Sequence, residues 1–249
     1  MFWPVLHEPT FQNDLDDVYN GSDDAYQNYI VRMVIAIGLQ KNDPQYAGLA
    51  DSYYQAAMQI FEQVVRPRDL KSLQCLILLA IYSILTPSRM AIYFVLGLAV
   101  RICQGMGMTF EKTITTAYNS GLENAQTLDM RRRLFWVVAS MEFGLAHTMG
   151  RPSGLAQTED AVDVEYFATV DDKYITSEGI LPAPVSEKKL VTVHFFKMRL
   201  LQAEIRRTLY EGKRQEPTSD QHPWWGTMEG KIQAWMDDSP KKPEWCIPW

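Results

Sequence analysis

The chain has 249 residues, of which 47% are apolar, 22% are charged and 12% are aromatic. This composition excludes an intrinsically disordered or collagen-like chain and is typical of one large globular domain or two small ones. The 30 Asp and Glu residues outnumber the 24 Lys and Arg residues and give a formal net charge of -6, which excludes a surface that holds nucleic acid by positive charge over the whole molecule. If the protein acts on DNA, we expect a segment outside this chain to make the contact.

The cysteines and the two ends of the chain indicate a reducing compartment and a longer parent protein. Cys75, Cys103 and Cys246 are too few for the disulfide framework of a secreted protein. The first residues lack a signal peptide, and both ends carry large apolar side chains, which suggests a fragment cut from something longer. The 17 residues from 72 to 88 carry no charge but fall short of a membrane-spanning helix, so we expect a buried helix there and no membrane contact.

The spacing of apolar residues predicts three helices in the first third of the chain. Apolar side chains recur at intervals of three and four over residues 26–37 and again over residues 49–64, and Pro67 ends the second pattern. Asp69 is placed to cap a third helix over residues 70–85. This helix is apolar nearly all round and must therefore lie inside the protein.

Cap residues predict three further helices. Ser88 is placed to cap a helix that ends near residue 106, Thr127 to start a long helix that Gly150 ends, and Ser186 to start the last strong helix. Strand signals are scarce, so the pattern predicts an all-α fold, a multi-helix domain of stacked amphipathic and buried helices. We expect residues 1–215 to form this domain and residues 216–249 to be a truncated Pro- and Trp-rich extension of it.

An acidic stretch from Asp14 to Asp24 is the strongest candidate for an enzyme active site. Clustered carboxylates in an all-α protein can hold magnesium for a diphosphate substrate when they line a helix wall that faces a pocket. Here Asn20 and Gly21 supply turn residues, so a solvated acidic loop is the favoured interpretation. The histidines and cysteines offer no pair at the spacing of a zinc site, so we expect no metal, cofactor or catalytic residue in this chain.

Arginines mark the long predicted helix and its end. Residues 131–133 are three consecutive arginines that point about 100° apart on a helix, so we expect one surface charge and one or two ion-paired anchors. Arg151 follows the helix stop, and we expect it to act as a structural clamp on helix carbonyls or on Glu159 or Asp160. An effector anchor is the alternative.

Apolar side chains near the same helix allow two interpretations. Phe135, Met141 and Met149, with Trp136, would suit a pocket for an apolar effector. They would equally suit an ordinary hydrophobic core, which is the favoured interpretation.

Four motifs follow one another in the sequence. They are the opening Pro-Val-Leu-His-Glu-Pro-Thr-Phe, the segments starting at residues 72 and 97, and the most specific block, Arg-Arg-Arg-Leu-Phe-Trp followed by Gly-Arg-Pro. Over residues 2 to about 167 these motifs resemble the middle homology region of fungal binuclear zinc cluster transcription factors, which opens with P-x-L-H-x-P-T-F and has two helices similar to the segments at 72 and 97. The resemblance implies structural roles for Pro4, His7, Pro9, Phe11, Gln74, Arg101, Arg131, Arg133, Trp136, Gly150, Arg151 and Pro152.

The chain departs from the family pattern in places. Residues 106–111 lack the histidine and arginine that usually follow the fourth helix, and Glu142-Phe143 stands where Asp-Arg is frequent. The six-cysteine zinc cluster that reads DNA in this family is absent from the chain.

The resemblance implies a nuclear regulatory domain of all-α fold, which is not an enzyme. Zinc and DNA contact are then expected only in a DNA-binding module N-terminal to this chain. The implied partners are transcriptional coregulators or the rest of the same protein, a small-molecule effector, or a second copy in a homodimer. The alternatives are a dimeric architectural scaffold, like a kinetochore subunit related to the family, and an all-α enzyme that uses the acidic stretch.

Overall fold

The computed structural model describes residues 3–155, 162–211 and 216–240. Within these ranges the chain forms ten α-helices, and its β structure consists of two isolated bridges, so the predicted all-α fold is confirmed. Two short 3-10 helices lie at Pro44–Tyr46 and Asp172–Tyr174. The α-helices are α1 (Glu8–Tyr19), α2 (Ala25–Asn42), α3 (Ala47–Met58), α4 (Phe61–Val65), α5 (Leu70–Leu85), α6 (Ile92–Gly105), α7 (Glu111–Asn119), α8 (Ala125–Met149), α9 (Glu187–Leu209) and α10 (Pro223–Asp237).

Helix α5 is the centre of the hydrophobic core. Every residue from 72 to 83 is buried, and α5 contacts α2, α4, α6 and α8. Its N-terminus is capped by Asp69, whose carboxylate accepts a hydrogen bond from the Ser72 amide at 2.8 Å. The sequence predicted the bounds, the cap and the burial of this helix, and all three are confirmed.

Helix α8 connects the core to the C-terminal helices. It contacts α5, α6, α7 and α9, and it ends at Gly150 as predicted. Gly150 adopts the left-handed conformation at φ 63°. Its N-terminal cap is Asn124, three residues before the predicted start at Thr127. Gly144 leaves room for the Arg199 guanidinium of α9, because a Cβ atom at this position would lie 2.9 Å from the guanidinium carbon.

The acidic stretch was predicted to be a solvated loop, and this prediction is wrong for its first half. Asp14 and its neighbours up to residue 19 lie in α1, because Phe11, Leu15 and Val18 recur at helical spacing and pack against the core. The turn at residues 20–24 follows this helix, and there Asp24 caps α2 by accepting a hydrogen bond from the Gln27 amide at 2.8 Å.

Two predicted helix boundaries are also wrong. The single helix over residues 49–64 is two helices, α3 and α4, because the Ile60 amide bonds to the Ala57 carbonyl in a tight turn between them. Ser88 does not cap α6. The Arg89 amide bonds to the Thr86 carbonyl, so the chain turns once more before the helix begins at residue 92.

The C-terminal part of the described chain packs along α9. Residues 162–186 run mainly as extended chain from the end of the α8 region to the start of α9, with bridges at Val170–Val185 and Ile175–Ile180. Helix α10 lies against α9. None of the described helices is both long enough and apolar enough to cross a bilayer.

Candidate functional site

A buried polar cluster joins α8, α9 and the extended chain between them. Arg133, at its centre, is fully buried. Its Nε atom donates to Asp129 Oδ2 and its Nη2 atom donates to Asp172 Oδ1, each at 2.6 Å. Lys189 on α9 lies 2.7 Å from the same Asp172 oxygen. We call these four residues and His7 the Arg133 cluster.

Residues near the start of the chain form hydrogen bonds to this cluster. The amide of Glu8 donates to Asp172 Oδ2 at 2.8 Å. His7 Nε2 donates to the backbone carbonyls of Asp172 and Ile175 at 2.9 and 3.1 Å. The Gln126 amide nitrogen lies 3.0 Å from His7 Nδ1, and because an amide nitrogen only donates, Nδ1 is the acceptor. The position of the proton on the imidazole is therefore set by both sides of the ring.

The cluster perturbs the pKa values of its ionisable groups. Burial alone would raise the pKa of Asp172, but the hydrogen bond and positive charge of Arg133, with further bonds from Lys189 and the Glu8 amide, outweigh burial and hold the pKa well below its ordinary value. Burial lowers the pKa of Lys189, and the charge of Arg133 adds to this lowering. Asp172 is therefore the carboxylate that balances two cations.

Trp136 holds the extended chain to the same face of α8, one turn after Arg133. Its indole N–H donates to the Glu165 carbonyl at 3.0 Å, and its ring stacks on Tyr166 with centroids 4.4 Å apart. The Ala168 amide donates to Asp129 Oδ1 at 2.7 Å, so Asp129 binds both Arg133 and this chain segment. These contacts fix residues 165–168 along the helix.

Gln74 ties the first residues to the central helix. Its side-chain amide donates to the Val5 carbonyl at 2.9 Å, and its oxygen accepts from the Tyr26 hydroxyl at 2.8 Å. Pro4 precedes the bonded Val5, and Pro9 stands in the first turn of α1. The structure therefore brings the motif residues of the opening segment, α5 and α8 into one connected scaffold.

The three consecutive arginines are all ion-paired, so the prediction of a free surface charge is wrong. Arg131 pairs with Glu123, and Arg132 pairs with both Glu111 and Glu165. Their side chains are only 14% and 18% exposed, and that of Arg133 is 0% exposed. The three arginine side chains point in different directions, as helix geometry predicted, but each of them pairs with a carboxylate on another segment.

The Gly150-Arg151-Pro152 motif lies at the far end of α8. The Arg151 amide donates to the Ala146 carbonyl at 3.1 Å, and the Arg151 carbonyl accepts from Arg206 at 2.6 Å. Its exposed guanidinium lies 5.8 Å from the ring centroid of Tyr93. The predicted carboxylate partners, Glu159 and Asp160, lie outside the described residues. In the described structure it is the backbone of this residue that clamps α8 to α9.

The structure does not gather the three residues of the suggested apolar effector pocket. Phe135 and Met141 are buried in the core, whereas Met149 is 46% exposed. They lie on one helix, and at 1.5 Å per residue Phe135 and Met149 are about 21 Å apart along its axis. The core interpretation fits the placement of the first two.

Cavities of ligand size open elsewhere on the surface. One of about 250 Å³ lies between α1, α5 and α8 and includes His7, Phe11 and Gln74 in its wall. Another of about 600 Å³ lies between α6 and residues 152–154. A third of about 550 Å³, which we call the α6 groove, lies between α4, α5 and α6. Arg101, a motif residue on α6, lines the second cavity and the α6 groove.

The described residues contain no group of three or more His, Cys, Asp or Glu side chains placed to hold a metal ion. Within the acidic stretch, Asp14 and Asp17 each accept a hydrogen bond at 2.9 Å from the side chain of Gln27. The carboxylates there join α1 to α2.

The fold and the Arg133 cluster define a helical domain whose buried polar side chains hold separate segments together. The family model described as the fungal specific transcription factor domain matches residues 1–237, and the chain belongs to that family. The resemblance stated from the four motifs is thereby confirmed, and it extends to a longer part of the chain than the motifs cover.

Relatives with curated names are transcription regulators. Pyrimidine pathway regulatory protein 1 of Saccharomyces cerevisiae is 30% identical over 69% of this chain and 19% of its own length. The positive regulator of purine utilization of Emericella nidulans is 29% identical over 56% of this chain and 15% of its own length. Transcriptional activator protein acu-15 of Neurospora crassa is 22% identical over 96% of this chain and 25% of its own length. The chain thus spans a quarter or less of these relatives, and no solved structure matches it.

Proposed function

We propose that this chain is the regulatory domain of a zinc cluster transcription factor and controls the activity of the modules linked to it. The observation that carries the proposal is the family match over residues 1–237 together with the curated names of the relatives. The zinc, the DNA contact and the activation segment belong to other parts of the parent protein, which acts in the nucleus. The domain itself catalyses no reaction.

The mechanism is a shift between two arrangements of the helices. A coregulator, another segment of the parent protein or a small effector binds one arrangement more tightly and so increases its population. The Arg133 cluster supports this mechanism, because one carboxylate, Asp172, binds α8, α9 and the start of the chain at once. A displacement of any of the three segments weakens its hold on the other two.

A reporter assay tests the proposal. The chain is placed between a heterologous DNA-binding module and a constitutive activation segment, and reporter output is compared with that of a flexible linker of equal length. We expect the output to differ, and we expect the difference to disappear when Arg133→Met disrupts the cluster. Equal output from the chain and the linker at equal protein level would overturn the proposal. Asp171→Asn, a change at an exposed neighbour of the cluster, serves as the matched control and should behave as the unmodified chain.

A further inference from the structure

The α6 groove has the size and the floor of a small-molecule site. Its volume of about 550 Å³ lies within the range of roughly 300–1,000 Å³ that is usual for ligand pockets. Phe61 and Val65 of α4, Leu76 of α5, and Leu98 and Ile102 of α6 supply apolar walls. Leu98 is 56% exposed, so the groove presents apolar surface to solvent.

The charge of the groove has the opposite sign to that of the chain. Its lining residues, all within the described part, include Arg68 and Arg101 and no Asp or Glu, whereas the whole chain carries a net charge of -6. A guanidinium has five N–H donors, and Arg101 Nη1 donates to Gln104 on the same helix at 3.1 Å. Two guanidinium groups beside an apolar floor favour a ligand with an anionic end.

Arg68 holds its place in the groove at a cost in backbone energy. Its φ of 58° is the one left-handed non-glycine conformation among the described residues. This conformation is strained for a residue with a side chain, and glycine would adopt it more easily. The residue at this strained position is an arginine whose side chain lines the groove.

Gly105 keeps one wall of the groove open. It is the last residue of α6 and lies at helical spacing from Leu98, Arg101 and Ile102. An added Cβ atom would have no neighbour within 4 Å, so close packing does not explain the glycine. Glycine is a weaker helix former than alanine. A side chain here would project into space that a ligand could fill.

We propose that the α6 groove binds an amphipathic anion, a small molecule with an apolar body and one carboxylate or similar anionic group. The groove offers one concave volume and two cations at its edge, whereas an amphipathic helix would need anchor pockets over two or more turns. This inference deepens the proposed function by naming the class of effector, and it rests on that function only for the consequence in transcription.

Calorimetric titration of the 249-residue chain tests the groove with three ten-carbon probes below their micelle concentrations. We expect decanoate to bind about tenfold more tightly than decan-1-ol and decyltrimethylammonium to bind most weakly. The double variant Arg68→Gln/Arg101→Gln should bind decanoate and decanol equally. Arg66→Gln is the matched control, since Arg66 is exposed, pairs with Glu62 on α4 and lies outside the lining, and it should keep the preference.

Gly105→Phe provides an independent test, because it fills the groove at a site where the backbone accepts a side chain. We expect decanoate binding to be lost while the melting temperature of the free protein stays at or above that of the unmodified chain. Equal decanoate affinity in the unmodified chain and the double variant, unchanged binding in Gly105→Phe, or no binding to the unmodified chain would overturn the inference. Because binding is measured without transcription, these results leave the reporter test of the proposed function independent.

Discussion

Arg133 and Asp172 show how a charged pair can organise the interior of a helical domain. A buried ion pair gains little net stability over well-packed apolar residues, but removal of one partner leaves the other charge buried and unbalanced. Here Asp172 also accepts from the Glu8 amide and from Lys189, so its loss affects three segments. Asp172 therefore matters more for how the three segments are arranged than for the total stability gained by burial.

Asp172→Asn is expected to lower the free energy of unfolding by about 3 kcal/mol at pH 7, because two buried cations lose their counter-ion. The pKa of Asp172 in the folded protein is held below the unfolded value of about 3.9, so the carboxylate stabilises the fold above that pH and its contribution is lost as the pH falls toward the folded pKa. Urea denaturation from pH 7 to pH 3 should therefore show the difference between unmodified protein and variant shrinking below about pH 5.

Asp171→Asn is the control for this titration, since Asp171 is exposed and immediately precedes Asp172 in the chain. It should change the free energy of unfolding by no more than about 0.5 kcal/mol at any pH. A difference for Asp172→Asn that stays constant down to pH 3 would contradict the assignment of acid sensitivity to this carboxylate.

The motif residues could be selected from the sequence, but their partners could not. One or two of the three consecutive arginines were expected to be ion-paired anchors, and Arg133 is one of them. Asp129 lies one helical turn before Arg133, within reach of a sequence argument. Asp172 is 39 residues further along the chain, in a segment without helical or strand periodicity. No local pattern marks such a residue, because its position depends on how the extended chain crosses α8.

At the scale of elements, the helices that could be predicted are those with strong caps or continuous burial. Both α5 and α8 have long buried stretches. Asp69 caps the start of α5, and Gly150 ends α8. α1 and α7 escaped prediction because they are short and polar, with one buried residue or none, so tertiary contacts decide their conformation.

Gly150→Ala is expected to destabilise the protein by about 1 kcal/mol, because the residue at the end of α8 has φ 63° and alanine is strained there. Gly38→Ala is the matched control within α2, where φ is not left-handed and an added Cβ atom has no neighbour within 4 Å. It should stabilise the protein by about 0.5–1 kcal/mol. Urea denaturation of both variants measures the two signs, and a stabilising Gly150→Ala would contradict the role of the left-handed cap.

At the scale of the whole molecule, α10 is attached to α9 by a small set of surface contacts. The indole N–H of Trp235 donates to the His194 carbonyl at 2.9 Å, and its ring stacks on that imidazole at 4.5 Å. Lys231 and Glu204 form an ion pair at 2.7 Å whose side chains are partly exposed. Such contacts contribute modestly compared with the core around α5.

Deletion of residues 216–249 is therefore expected to lower the free energy of unfolding by about 1–3 kcal/mol while a single cooperative transition remains. Circular dichroism and urea denaturation measure both quantities, and Trp235→Ala in the full chain should reproduce most of the loss. Collapse of the helical signal on deletion would show that the predicted boundary at residue 215 divides one cooperative unit.

The link between the Glu8 amide and Asp172 has a mechanical consequence. A pull on the first residues does not end at the surface, because Val5 is bonded to Gln74 of the central helix and the Glu8 amide is bonded to the carboxylate that anchors α8 and α9. Force applied to that end of the chain is therefore transmitted to the interior, where tension on the first segment acts directly on the contact between α8 and α9.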